Sequence, residues 1–431
     1  MDHGIIEAKY PLTFREEDAK ELGQHVMHRH SVNLLGMKRV GISNFLRFFM
    51  YHKDIVDTYI GKDEKFLYIP VDLNDLVERE IYPFWSLTLK RIVDVVNYSE
   101  LPGVDKKKIE SLFVSSIQTQ DLFLLIDSVR QALFDISMSG VSPTIFLLRF
   151  DRMKDVVNQQ FFDNLLGLRE ATHQKLSYVF TGYQTLDKIA PSVFTKASLS
   201  VFSHLMYLKP AEKKDGKVIY DTFKNWYKLD LKPEIEESVL DLTGGHVQYL
   251  QLALLILNEK RDKNITSKED LLRLFLEDER IMLQSEELWE SLTPAEKEEV
   301  SEVVRDGSQK EREESDYLIK SGFILKREGK MTVFSPLFID YVSQKKEESE
   351  THSQYFSKKE NMLYEMLKKN LDTICEREDI VEVVWPEYKE FGVSDWAIDR
   401  LVARVRQKLK KQNSNYKVVT IRTRGYSLTT L

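Results

Sequence analysis

The sequence predicts an α/β protein: a parallel sheet covered by helices, then a helical segment and two small α+β units. Three observations predict it. Short, nearly continuous apolar runs at Ser31–Leu35, Phe66–Asp72, Thr144–Leu148 and Leu176–Thr181 alternate with helical patterns, as strands buried on both faces of a parallel sheet do. A glycine-bounded loop, 36-GMKRVGIS-43, follows the first run directly and opens onto an apolar helix over Ser43–Tyr51. Twice later a helical pattern gives way to a hairpin pattern, at 317–342 and at 394–431.

The remaining elements follow in order. Residues 15–29, 80–97 and 108–138 have helical periodicity, and the strand signal fades after about residue 205. Residues 234–284 read as helical, interrupted by 243-TGGH-246. Thr293-Pro-Ala-Glu296 is a capping box: the Thr hydroxyl and the Glu carboxylate each accept from the other's backbone, and Pro suits the first turn. The unit it opens closes with a hairpin turning at Glu-Gly (328–329). The polar, aperiodic 344-QKKEESETHSQ-354 reads as a linker, and Ser357-Lys-Lys-Glu360 as a second capping box. In 394-SDWAIDRLVARVRQKLKK-411, Ile398, Leu401, Val402, Val405 and Leu409 share one helix face. Arg400, Arg404 and Lys411 lie nearly opposite, with Lys408 close by; Ser394 suits the cap and Asp395 the first turn. Residues 418–431 alternate β-branched side chains around Arg422, Arg424 and Gly425, a hairpin pattern. The expected boundaries are 1–210, 211–285, 286–343, a linker at 344–356, and 357–431.

Composition excludes several classes. One cysteine, Cys375, permits no disulfide framework and no multi-cysteine zinc site within the chain, which fits a reducing cytoplasm. No apolar run reaches the roughly 18–20 residues that span a bilayer, and the first residues lack a signal pattern, so a cytoplasmic protein without membrane contact is expected. The net charge of −7 is unevenly placed. Arg400–Leu431 carries nine Lys or Arg and no Asp or Glu, which leaves −16 on the remainder and points to a polyanion at one end only. His25, His28 and His30 cluster in sequence, but no carboxylate or cysteine is spaced to join them. They read as a helix end, and no metal is expected.

A loop of this kind binds phosphate when its glycines let successive N–H groups converge on an anion at a helix N-terminus. Gly36 and Gly41 supply the turn and Ser43 a hydroxyl for magnesium, but Ile42 stands where a lysine would meet the phosphates. Lys38 or Arg39 would have to substitute. Over about residues 13–285 the chain resembles P-loop ATPases of the AAA+/STAND branch. Their loop "G-P-R-R-x-G-K-T-S-L-L-R" is matched by Gly36-Met-Lys-Arg-Val-Gly-Ile-Ser-Asn-Phe-Leu-Arg47, and their "L-L-D-E-F-D-R-L" by Leu147-Leu-Arg-Phe-Asp-Arg-Met153. The resemblance implies an ATP or ADP site with magnesium at Gly36, Lys38, Arg39, Gly41 and Ser43. It adds Thr181 as the polar residue ending the fourth strand. His246 is the lid histidine of a "G-G-H-P" motif in which Val247 replaces proline. It also implies failure of the chemistry. Leu148 and Arg149 take the places of the magnesium-binding Asp and catalytic Glu. Sliding the match to make Asp151 the metal ligand leaves Arg152 in the catalytic place. No catalytic residue is therefore assigned, and hydrolysis is not expected.

Residues 360–431 resemble the OmpR/PhoB-type winged helix through Glu360, Leu363–Leu367, 377-REDIVEVVW-385 and Val393-Ser-Asp. The helix matches "I-x-x-L-R-x-K-L" at Leu401–Leu409, and Ile421–Leu428 matches "T-V-x-G-x-G-Y-x-L", with Thr423 in place of the first wing glycine. The resemblance implies double-stranded DNA as partner, with Arg400 and Arg404 facing the groove, Lys408 and Lys411 on phosphates, and Arg422 and Arg424 on the wing. The expectation is a signal-responsive transcription regulator. Its first module binds a protein partner, a second copy of itself, or a nucleotide without hydrolysis. The alternatives are a working ATP-dependent switch with an altered loop, and an interaction scaffold whose winged helices dock on protein.

Overall fold

The computed structural model describes residues 4–61, 65–194, 201–202, 204–261, 265–306, 316–327, 329–350, 356, 358–386, 393, 395–412, 414–421 and 424–430. It divides into two compact units: 1–284 with 288–339, and 285–287 with 340–431. Among the described residues no helix is long and apolar enough to cross a membrane.

The first unit is organised by a five-stranded parallel sheet of β1 (Val32–Leu35), β2 (Lys65–Asp72), β3 (Val141–Leu148), β4 (Ser177–Gly182) and β5 (His204–Tyr207). The strand order is β2-β3-β4-β1-β5. β1 is hydrogen-bonded on both sides, Val32 lying opposite Val179 and opposite His204. Burial follows position: all four residues of β1 are buried, whereas β2, at the edge, alternates. That edge also tolerates Pro70, whose missing N–H costs no ladder bond on the open side. Helices Ile81–Tyr98, Leu122–Met138 and Gln159–Ala171 join the sheet in a core rich in edge-on aromatics, such as Phe84 on Phe161 at 4.9 Å.

Several features differ from the sequence reading. The pattern at 108–138 is two helices, Lys106–Thr119 and Leu122–Met138. Gln120 adopts φ +52°, and Asp121 accepts the N–H of Leu124 to begin the second. β5 was not expected; it is four residues long and only Met206 in it is buried, so it leaves no periodic trace. Helices Lys213–Tyr227, Pro233–Thr243, Val247–Glu259, Lys268–Leu276 and Glu279–Glu290 follow. The capping box at Thr293 forms as expected: Thr293 N–H donates to Glu296 Oε2 (2.7 Å) and Glu296 N–H to Thr293 Oγ1 (3.3 Å). β6 (Ile324–Arg327) and β7 (Lys330–Val333) make the expected hairpin. Helix Pro336–Glu350 then runs through 344–350, read above as linker, because Lys, Glu and Gln favour helix even without an apolar stripe.

The second unit contains helices Lys358–Lys369, Arg377–Val384 and Asp395–Lys411, with β8 (Cys375–Glu376), β9 (Tyr416–Ile421) and β10 (Gly425–Thr430) in the order β8-β10-β9. Helix Asp395–Lys411 buries Ile398, Leu401, Val402, Val405 and Leu409 in a cluster with Leu363, Leu367, Trp385 and Leu428, the face its spacing required. The two-residue β8 was not expected. Ser357, Ser394, Arg422 and Thr423 lie outside the described residues.

β8 and β10 approach closely because Gly425 lacks a side chain: a Cβ there would stand 2.0 Å from the Cys375 carbonyl oxygen. Gly167, inside helix Gln159–Ala171, has nothing nearer than 4.0 Å to its Cβ position. Thermal unfolding followed by circular dichroism is therefore expected to move in opposite directions. Gly425→Ala lowers stability by about 2 kcal/mol or more, and Gly167→Ala raises it by about 0.5–1 kcal/mol.

Candidate functional site

The first candidate site lies at the carboxyl ends of β1, β3 and β4, where parallel α/β sheets place their ligands. β1 runs into Gly36, whose N–H donates to the Gly182 carbonyl (3.2 Å). A Cβ on Gly36 would stand 2.8 Å from the Leu208 carbonyl oxygen. The loop turns tightly, with Val40 N–H bonded to Met37 O (3.2 Å), Met37 and Val40 buried, and Arg39 exposed at φ +60°. Gly41, at φ +114°, leads into helix Ile42–Tyr51, in whose first turn Ser43 is half-buried. The Ile42 δ-methyl reaches back to 3.5 Å from where a Gly36 Cβ would be. An apolar group thus covers this side of the loop.

Lys38 places its ammonium 4.8 Å from the centre of the Tyr183 ring. Beside it, the Asp151 carboxylate accepts the backbone N–H groups of Tyr183 (3.1 Å) and Gln184 (3.2 Å) and sits directly over Gly182. Burial pushes the Asp151 pKa up to about 6, against the lowering effect of those bonds and of Lys38. Leu148 ends β3. Arg149, at φ +60°, donates its N–H to Thr181 Oγ1 (2.9 Å) and pairs with Asp72. Arg152 donates to Asn74 (2.8 Å).

His246 joins the loop to the helical segment. Its Nδ1 accepts Tyr249 N–H (3.3 Å), capping helix Val247–Glu259, so its Nε2 carries the proton donated to the Lys38 carbonyl (2.9 Å). Burial lowers its pKa to about 4, and the ring is neutral near pH 7. Val247 packs on Gly41, its Cγ2 2.5 Å from the missing Cβ position. Of the expected nucleotide residues, Gly36, Lys38, Gly41, Thr181 and His246 come together here. Thr181 serves the backbone of Arg149, and His246 serves the loop itself. Asp151 and Tyr183 were not assigned; the only sequence signal was Asp151 within Phe150-Asp-Arg152.

The second candidate site is the basic helix and hairpin of the second unit. Arg400 Nε donates to Glu286 Oε1 (3.0 Å), and Arg404 Nη2 lies 3.1 Å from Glu286 Oε2, the carboxylate being almost fully buried. Lys408 bonds the buried Glu360 (2.6 Å), and Arg424 the exposed Glu376 (3.0 Å). Lys411 ends the helix, and Arg422 lies outside the described residues. Two arginines not singled out in the sequence hold the unit together. Arg406 bonds Val418 O (2.8 Å) and Thr420 Oγ1 (2.7 Å) on β9, and Arg377 bridges Asp395, Asp399 and the Tyr426 hydroxyl.

A glycine loop between a central parallel strand and a helix, in the strand order above, gives the first unit a P-loop NTPase-like fold. The second contains a transcription-regulator domain of OmpR/PhoB type: residues 352–428 match the family described as "Transcriptional regulatory protein, C terminal". Similar solved structures include the Walker-type ATPase of Pyrococcus abyssi (16 % identity, 76 % of this chain and 95 % of that one, TM-score 0.47). They also include the Aeropyrum pernix ORC2 protein in ADPNP–ADP complexes (12 %, 80 % and 96 %, 0.41). A third is the Aeropyrum pernix ORC1 protein in complex with DNA (11 %, 98 % and 90 %, 0.38). Comparison with curated proteins gives no match.

Two outcomes follow from the loop. Gly41→Ala combines a left-handed backbone with a collision against Val247 and should cost roughly 2–4 kcal/mol in denaturant unfolding, part of it recovered in Gly41→Ala/Val247→Ala. Asp151, with its folded-state pKa raised, binds its proton more tightly folded than unfolded. Its contribution to stability is greatest below pH 4 and is lost as pH rises through about 6. Asp151→Asn, which keeps an acceptor for the two N–H groups, should therefore gain about 2 kcal/mol more at pH 7.5 than at pH 4.5.

Proposed function

We propose that the chain is a signal-responsive, DNA-binding transcription regulator of the cytoplasm, whose first module acts as a non-hydrolysing scaffold. The observation that carries this reading is the OmpR/PhoB-type match over residues 352–428. It fits a helix with one apolar and one cationic face followed by a hairpin. Arg400 and Arg404 face the bases, Lys408 and Lys411 the phosphates, and Arg422 and Arg424 lie along the wing. Arg400, Arg404, Lys408 and Arg424 each exchange a carboxylate for an oxygen of the nucleic acid or its water on binding, and the phosphate contacts make affinity salt-dependent. The chain is read in four parts, divided near residues 210, 285 and 343, with the first module receiving a protein partner or a second copy of the chain.

The absence of hydrolysis is supported by what occupies each place. Ile42 supplies no charge, both Asp151 oxygens accept backbone N–H groups, and Arg149 is committed to Asp72 and Thr181. These groups do not fit magnesium held by a nucleotide's terminal phosphates, nor a carboxylate poised to activate water.

Fluorescence anisotropy with a labelled duplex tests the DNA reading. At about 50 mM salt the protein should bind, and Arg400→Ala/Arg404→Ala should weaken it about tenfold or more. Binding indifferent to both changes would favour a scaffold docking on protein. For the first module, magnesium-dependent ATP turnover should not exceed that of Ser43→Ala. Turnover that Ser43→Ala abolishes would establish a working switch instead.

A further inference from the structure

At the other end of β1 from the glycine loop, three histidines from two distant segments meet. Helix Glu16–Met27 ends in a left-handed cap: Arg29 takes φ +57°, its N–H bonds Val26 O (3.0 Å), and His30 N–H bonds His25 O (2.9 Å). Such caps bring the residue after the left-handed position against one in the last helical turn, and that pair is ordinarily apolar. Here it is His30 and His25, with their Nδ1 atoms 3.4 Å apart. β5 adds His204, opposite Val32 in the sheet, its ring centre 4.5 Å from that of His30 and 5.3 Å from that of His25. One ligand nitrogen from each ring lies within 4.8 Å of the other two. The sequence showed His25 and His30 without a third ligand; His204 is supplied by a strand that the sequence did not reveal.

We propose that His25, His30 and His204 form a binding site for one borderline divalent transition ion of the zinc, nickel or copper(II) class. Imidazole nitrogen is the ligand these ions favour, and three histidines with an open fourth position form a known tetrahedral arrangement. The spacing fits. Zinc–nitrogen bonds of about 2.0–2.1 Å place tetrahedral ligands about 3.3 Å apart, which His25 and His30 already match. His30 and His204 stack at 11°, so one ring turns about its Cβ–Cγ bond to aim its nitrogen at the ion. Their partial exposure leaves room for that turn and for entry of the ion.

The surroundings hold the turn in place. Arg169 donates to the Arg29 carbonyl (3.2 Å) and to Ser31 Oγ (3.1 Å), fixing the backbone between the first two ligands. Burial and the neighbouring histidines lower the pKa values of His25 and His30, with Arg169 adding to the effect on His30. His28 is turned away: its Nδ1 bonds Gln24 O (2.8 Å), and it stacks on the outer side of the group at 5.6 Å from His30. Bound, the ion would tie the first helix to the edge strand β5.

The test uses untagged full-length chain stripped with chelator and titrated with zinc chloride by calorimetry, with circular dichroism melting in parallel. One equivalent should bind and raise the melting midpoint. His30→Ala and His204→Ala should each weaken binding about tenfold or more, whereas His28→Ala and Cys375→Ser leave it unchanged. Because His30 is exposed, His30→Ala should melt like the metal-free parent, so its loss of binding is not a loss of fold. No stoichiometric binding would overturn the proposal. So would binding that survives both His30→Ala and His204→Ala, or that falls equally in His173→Ala, since His173 packs on Phe134 outside the group.

Discussion

The first unit depends on one steric constraint: the interior strand β1 ends at a glycine that has no room for a side chain. Gly36 is closed in by the carbonyls of Gly182 and Leu208, one from the end of β4 and one from the residue after β5. Leu208 is placed there by its own N–H bond to Leu35 (2.7 Å). The loop is then sealed from above by Ile42, by Val247 on Gly41 and by the His246 bond to the Lys38 carbonyl. In a phosphate-binding loop an anion satisfies the converging N–H groups and a lysine neutralises it. Here packing and one neutral imidazole close the same turn. The loop and its contact with the helical segment are therefore consistent with each other.

The cations of the second unit are held by different amounts. Lys408 neutralises Glu360, a carboxylate almost fully buried. Withdrawing a partner from a buried carboxylate is costly, so Lys408 is held firmly to the neighbouring helix. Arg400 and Arg404 share Glu286, also buried, so giving up one arginine still leaves that carboxylate a partner. Arg424 and Glu376 are both more than half exposed, and such pairs contribute about 0–1 kcal/mol. Arg424 is therefore held least tightly, and Arg400 and Arg404 come next.

What the sequence made legible was local. Buried strands, the glycine loop, the capping box at Thr293 and the apolar face of helix Asp395–Lys411 each declare themselves within about ten residues, through periodicity or cap chemistry. What it hid was either very short or long-range. β5 and β8 have four and two residues, too few for alternation to register. The break at Gln120 was signalled only by Asp121 inside an otherwise continuous helical pattern. The uses of Asp151, Thr181 and Glu286 depend on partners 30 to more than 100 residues away, which spacing does not encode.

The two ends of β1 show how such hidden partners change meaning. At the carboxyl end, Thr181 and His246, both singled out in the sequence, bond to the backbone of Arg149 and of Lys38. At the amino end, groups that look incidental are assembled by the sheet. A helix cap that joins imidazoles where an apolar pair is usual forgoes burial and sets three titratable rings against one another. An ion bound there only in the folded state would reverse that deficit, stabilising the chain by an amount that grows with the logarithm of its concentration. It would act through β5, and Leu208 immediately after β5 is the residue whose carbonyl closes in Gly36. Occupancy at one end of the strand and order in the loop at the other are joined by four residues of hydrogen-bonded backbone.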